Sequence, residues 1–222
     1  MTTPFLKAVW TIVRKDLRAE FRTRELFNSM ILFSLLSILV FSFALELDRI
    51  AREEVVSGVL WVTIVFASFL GLNRSLAGER EQGSMHAMML APINRVTIYA
   101  GKLVGNFLFT LVIGLLLLPL MTVLYNITLA RLEMVLVLAL GTLGLTSVGT
   151  LLATMTVQTR SRETLLPIAM MPVALPVLIV VVRASSGILQ GEVEIGWLAT
   201  LALIDLIYLV LGALMFEYVI ED

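Results

Sequence analysis

Six runs of apolar residues, each long enough to cross a bilayer, constrain this chain more than any other feature. With edges good to a few residues they are Phe27 to Leu45, Val55 to Leu72, Leu103 to Tyr125, Met134 to Met155, Leu165 to Val182 and Trp197 to Phe216. A hydrocarbon core of about 30 Å takes about 20 apolar residues to cross as a helix. Hydrophobic residues make up 59% of the 222 and charged residues only 15%, with a mean hydropathy of +0.98. A soluble fold cannot hide that much apolar surface, so the expectation is an all-α polytopic membrane protein, one domain over residues 1–222 with six spans. The opening MTTPFLKAVWTIVRKDLRAEF has no short apolar core followed by a small-residue cleavage site. The first span itself is therefore expected to direct insertion.

Charge sets the orientation. Lys and Arg number six in residues 1–26, four in 73–102 and two in 156–164, all on the side that holds the N-terminus, against Arg49, Arg52, Arg131 and Arg183 on the other. The positive-inside rule places both termini and the loop after the second span in the cytoplasm of an inner-type membrane. Before the first span, residues 4–26 read as an amphipathic interfacial helix. At 100° per residue, Val9, Trp10, Val13, Leu17 and Phe21 fall within about 60° of Leu6, and Lys7, Arg14, Lys15, Arg18 and Arg22 fall on the adjoining side. That basic side suits anionic headgroups. It either anchors the chain to the lipid surface or also meets a cytoplasmic partner.

Three features inside the spans bear on packing and motion. Thr142, Thr146, Gly149, Thr150 and Ala153 form a small-residue stripe, and Gly101 and Gly105 a GKLVG step. Both are packing surfaces of the kind that let helices approach closely in lipid. Pro167, Pro172 and Pro176 put kinks in the fifth span, which is then a fixed shape or a hinge. Asp205 lies within the sixth span, where an acid needs a partner or water. Arg183 and threonine hydroxyls are the candidate partners, and the acid is either a structural hydrogen bond or a proton or substrate site.

Catalytic chemistry finds few parts. The chain has no cysteine, so thiol nucleophiles, thiolate metal sites and disulfides are excluded. His86 is the only histidine; no GxSxG elbow and no GxxxxGK[ST] loop occurs. The expectation is a chain that is not an enzyme, binds no metal and no cofactor of its own, and has lipid but not nucleic acid as a partner.

The polar stretch GEREQGSMHAMMLAP, Gly78 to Pro92, stands out between the second and third spans. Glu79, Arg80 and Glu81 are expected to begin a short helix that Pro92 ends, since acids suit a helix N-terminus. Met85, Met88 and Met89 fall within about 100° of one another. They form either an adaptable docking face for another protein or a surface buried against the membrane or the interfacial helix. In the second inner loop, Gln158 to Thr164, the residues Arg160, Arg162 and Glu163 are either a secondary contact or a positive-inside anchor.

The basic amphipathic helix, six spans and the loop NRSLAGEREQGSMHAMMLAPINRVTIYAGK resemble the membrane subunits of type-2 ABC exporters. Within them, RKDLRAEFRTRE, LGLNRSLAGEREQG and TRSRETLLPI resemble the heme exporter protein B family, CcmB, of cytochrome c maturation. The resemblance implies that Glu79, Glu81 and Gly83 open a coupling helix that docks on a separate ATPase. It further implies an ATP-binding subunit, CcmA, which carries ATP and Mg, in a two-plus-two assembly. The other implied partners are a heme-handling subunit, CcmC, a small subunit, CcmD, and indirectly the heme chaperone CcmE. The expected function is a permease coupling ATP hydrolysis to heme export or to release of heme-loaded chaperone. A permease for a drug, lipid or glycan and a non-transporting scaffold are the alternatives. Heme iron takes axial His, Met, Cys or Tyr ligands, and Trp10, Trp61 and Trp197 are scattered. This subunit is therefore expected to transmit force and not to hold heme through a pair of histidines.

Overall fold

The computed structural model describes residues 4–44, 49–81, 88, 90–156, 162–192 and 194–221. Among them the chain forms seven helices and no strand: α1 (Phe5–Thr23), α2 (Glu25–Ala44), α3 (Arg49–Glu81), α4 (Arg95–Tyr125), α5 (Leu132–Thr156), α6 (Arg162–Gln190) and α7 (Ile195–Glu221). Helices α2 to α7 each contain a stretch long and apolar enough to span, matching the six runs of the sequence. Several overrun their expected edges. At 1.5 Å per residue the 33 residues of α3 reach about 50 Å, well beyond the hydrocarbon thickness, so its ends project from the bilayer.

Helix α5 is the centre of the bundle, packed against α3, α4, α6 and α7. Its small residues explain that position. A Cβ on Gly141 would fall 2.3 Å from the ring of Trp61 on α3 and 2.6 Å from Val181 on α6; one on Gly149 would fall 2.5 Å from Leu72. Most of the α5 threonines bond within their own helix. Thr142 donates to Leu138 O (2.7 Å), Thr146 to Thr142 O (2.7 Å) and Thr154 to Thr150 O (2.8 Å), each one turn back in its own helix. Bridging falls instead to Trp61 Nε1, which donates to Ser185 Oγ on α6 (2.9 Å), and to Asn106 Nδ2 on α4, which donates to Thr150 Oγ1 (3.1 Å).

Helix α6 runs as one α-helix through Pro167, Pro172 and Pro176. Pro172 and Pro176 lie on its exposed face, while Leu166, Met170, Ala174 and Val177 are buried. The carbonyl of Val173, one turn before Pro176, accepts the hydroxyl of Tyr208 on α7 at 2.6 Å. The carbonyl that loses its donor to Pro176 is that of Pro172, one residue earlier, so this bond ties α7 to α6 beside the proline and does not replace the lost one. At the far end, Arg131 donates to the carbonyl of Ile188 (2.7 Å) in the last turn of α6, where a cation suits the helix dipole.

Helix α1 turns into α2 at Arg24, which adopts the left-handed conformation (φ 56°). The turn is closed by Arg24 N donating to Glu20 O (2.7 Å) and Phe27 N donating to the Glu20 carboxylate (2.8 Å). The apolar side of α1 is divided. Ala8, Ile12 and Val13 are buried, while Leu6 and Phe21 are each 78% exposed and Trp10 is 60% exposed. The helical wheel grouped Val13 with Leu6, Trp10 and Phe21; the structure places Val13 in the seat against the bundle and leaves the other three facing out.

Candidate functional site

The GKLVG step of α4 is where α1 sits. A Cβ on Gly101 would lie 2.8 Å from Cβ and Cγ2 of Ile12, and one on Gly105 would lie 3.5 Å from a carboxylate oxygen of Asp16. A side chain at Gly101 would hold α1 away, while a Cβ at Gly105 would make only ordinary contact. With no side chain at Gly101, Asp16 and Lys15 reach inward, and the last turn of α3 comes to meet them.

The expectation that Glu79, Arg80 and Glu81 start a short helix is overturned here. They form the last turn of α3, which continues unbroken from the second span through Glu81. An acid in that position opposes the helix dipole, and Glu79 is held there by cations. Its carboxylate contacts both Lys15 of α1 and Lys102 of α4. Lys102 also pairs with Asp16 at 2.7 Å, and Lys15 lies 3.2 Å from Asp16. Among the described residues, two cations and two carboxylates thus join α1, α3 and α4, and their charges balance. The side chain of Lys102 is 1% exposed, that of Glu79 8% and that of Asp16 12%; Lys15, at 41%, is the rim. For the Lys15 ammonium, burial lowers the pKa, and Glu79 and then Asp16 outweigh it, leaving the group above its ordinary value.

A small apolar cluster closes over this joint. Ile12, Ile98, Tyr99, Leu103, Leu151 and Phe216 are buried together, with Ile93 and Met88 packed against them. Met88 also lies 3.9 Å, through its sulfur, from the Lys15 amine. Of the three methionines, Met88 therefore packs inward beside α1. The tyrosine of this cluster is fixed by contacts of 3.1 and 2.9 Å with the carbonyl and hydroxyl of Ser147. Arg95 donates to Glu217 O (3.2 Å), which ties the start of α4 to the end of α7. One end of the bundle thus gathers α1, the ends of α3, α5 and α7, and the start of α4.

Of the other residues singled out in the sequence, Gly83, Met85, Met89 and Arg160 lie outside the described residues. Arg80 and Glu81 are placed as helical positions of α3, and Arg162 and Glu163 as the first positions of α6. Asp205 is buried, and among the described residues neither of its carboxyl oxygens has a hydrogen-bond partner. Arg183 is exposed and forms no ion pair with it, and no threonine hydroxyl among the described residues bonds it, so both expected partners are corrected. Lys15, Asp16 and Lys102 were not singled out as site residues. The signal available was a lysine seven residues inside the helix that carries the third span, read only as one more inner-side cation, and one acid among the cations of α1.

Comparison with known proteins agrees with this architecture. The CcmB protein family matches residues 7–221. The chain is 25% identical over 209 residues to heme exporter protein B of Bradyrhizobium diazoefficiens, covering 93% of this chain and 94% of that one. It is 29% identical to heme exporter protein B of Rhodobacter capsulatus over 192 residues (85% and 88% of the two chains). It is also 29% identical to that of Pseudomonas aeruginosa over 201 residues (88% and 89%). The family match runs from the first turn of α1 to the last turn of α7, and this chain belongs to the CcmB family.

Proposed function

We propose that this chain is the membrane permease subunit of an ABC-type heme exporter serving cytochrome c maturation. It is a non-catalytic subunit that couples ATP hydrolysis on a separate ATPase, CcmA, to heme export or to release of heme-loaded chaperone. Relatives named heme exporter protein B, aligned over nearly their whole length, support the reading. In this reading two copies work with two ATPase subunits, CcmC and CcmD complete the assembly, and CcmE receives its output. Heme is handled by the complex as cargo. The excess of Lys and Arg at the α1 end supports an inner-membrane orientation with both termini cytoplasmic.

The observation that carries the mechanism is the Glu79 joint. Nucleotide-driven closure of the ATPase displaces the segment that follows α3, and coupling requires that the contact differ between the two states. Because Glu79 is bound to Lys15 and Lys102, a displacement of the end of α3 is shared at once with α1 and α4. The coupling element is then three helices moving together. Arg80, Glu81, Gly83, Met85 and Met89 are its proposed ATPase-facing part, Met88 its inward anchor, and Arg160, Arg162 and Glu163 a secondary contact.

Docking and transmission are separable by mutation. Reversing Arg80 and Glu81 together (Arg80→Glu, Glu81→Lys) should abolish co-purification of the ATPase while the chain still inserts. Unchanged ATPase binding and unchanged cytochrome c yield in that variant would overturn the assignment. An ATPase that co-purifies but hydrolyses ATP at a rate independent of this chain would identify a scaffold in place of a permease.

A further inference from the structure

Asp205 sits near the middle of α7, ten residues or about 15 Å from Ile195 and thirteen residues or about 20 Å from Tyr218. It is 3% exposed, and neither carboxyl oxygen has a hydrogen-bond partner among the described residues. Its setting is a gap left by a missing side chain. A Cβ on Gly144 of α5 would fall 2.4 Å from Oδ1 of Asp205 and 3.3 Å from Cγ2 of Val177, so the carboxyl rests on bare α5 backbone with an α6 valine beside it.

Nothing charged faces it from the helices packed around α7. Helix α5 carries Glu133 at its first turn and no other charged residue. Helix α6 has none between Glu163 and Arg183, and Arg183 is exposed. On α4, Lys102 is paired with Asp16 and Glu79, Arg95 donates to Glu217 O, and Tyr99 is bonded to Ser147. On α7 itself, Tyr208 donates to Val173 O, and Glu217 lies twelve residues further on. Of the α5 hydroxyls, Ser147, one turn on from Gly144, is engaged with Tyr99, and Thr142 and Thr146 donate to backbone carbonyls one turn back in their own helix.

An ionised carboxylate in such a place has neither counter-ion nor donor, and burying a bare charge is far costlier than burying a neutral acid. We propose that Asp205 is an intramembrane proton-binding site. Its carboxyl carries a proton in the conformation described here and releases it only when α7 shifts on α5 and α6 to admit water or a cation. The step is one proton moving between water and a carboxyl oxygen, with no change in electrons. Its ligand is the proton itself, and Gly144 provides the space in which the acid rests.

Isotope-edited infrared spectroscopy of the purified chain in lipid nanodiscs reads this directly. The sequence has four aspartates, Asp16, Asp48, Asp205 and Asp222, and an aspartate in water is ionised at pH 8. With [13C]aspartate incorporated, the wild type should retain a label-shifted C=O band of a protonated carboxyl at pH 8, and Asp205→Asn should lose it. Asp205→Asn keeps the shape without the charge and should melt at the wild-type temperature. The absence of a protonated-carboxyl band in the wild type at pH 8 would overturn the proposal even if the variant did not fold. A band that persists unchanged in Asp205→Asn would overturn it equally.

Discussion

Replacing Lys102 with methionine removes the cation of the α1–α3–α4 cluster that water does not reach. Lys102 is 1% exposed and pairs with both Asp16 and Glu79, so the substitution leaves two carboxylates sharing Lys15, which is 41% exposed. Breaking a buried ion pair from one side costs about 3–5 kcal/mol, because a charge is left buried without compensation. Partial access through Lys15 places Lys102→Met near the lower end, at about 3 kcal/mol. The rim substitution Lys15→Met is expected to cost about 1 kcal/mol, the upper range for a partly exposed pair. Adding Asp16→Asn to Lys102→Met restores neutrality and leaves Lys15 and Glu79 as one pair. The double variant should therefore be more stable than Lys102→Met alone, by about 1–2 kcal/mol, with a coupling of the size found for residues in one network. Reversible unfolding in mixed micelles, followed by helical circular dichroism, measures the wild type, these three variants and Asp16→Asn alone. If the double variant loses the sum of the two single losses, the charges act independently and α1, α3 and α4 are not joined through them.

Three further outcomes follow from the packing. Gly101→Leu should detach α1, since even a Cβ there would lie 2.8 Å from Ile12; protease cleavage within residues 5–23 should become fast while the six spans stay protected. The Lys15 ammonium is raised in the fold, so its contribution is complete below the unfolded value of about 10.4 and is lost as pH rises through the higher folded value. A distance between spin labels placed on α1 and α4 should therefore stay unchanged from pH 6 to pH 9 and lengthen only above about 10. Trp61→Phe removes the donor to Ser185 and leaves a buried hydroxyl unpaired, at a cost of about 1–3 kcal/mol, read in the same unfolding assay.

The spans were legible because apolar length is a property of consecutive residues. Five of the expected runs lie within α3 to α7, and the other, Phe27 to Leu45, lies within α2 as far as Ala44, with Leu45 outside the described residues; the errors fall at the ends. The continuation of α3 was misread because NRSLAGERE is polar, and hydropathy records where lipid stops, not where a helix stops. Gly78 did not break it; a single glycine in a helix costs only about 1 kcal/mol. The candidate site was less legible because its members are far apart in sequence. Lys102 and Asp16 are 86 residues apart, and neither position carries a local pattern that names the other. The Gly101–Gly105 step was visible as a packing surface, but which helix it receives depends on the tertiary arrangement. Asp205 was conspicuous in the sequence; its lack of a partner could be known only once Gly144, Val177 and Arg183 had positions.

The α1–α3–α4 cluster also bears on the order in which the protein is made. Lys15 and Lys102 are two of the twelve cations whose distribution, by the positive-inside rule, is expected to orient the chain. They act in that role while the chain is being threaded, before any carboxylate is beside them. Once Asp16 and Glu79 are in place the same two charges are cancelled, and the finished bundle presents a less cationic face than the nascent chain did. Ile12 has no seat until Gly101 has been synthesised, and Asp16 no partner on α4 until Lys102 has followed. Helix α1 therefore cannot take its seat before α4 has been made, and Leu6, Trp10 and Phe21, which still face outward in the finished bundle, suit it to a lipid surface until then.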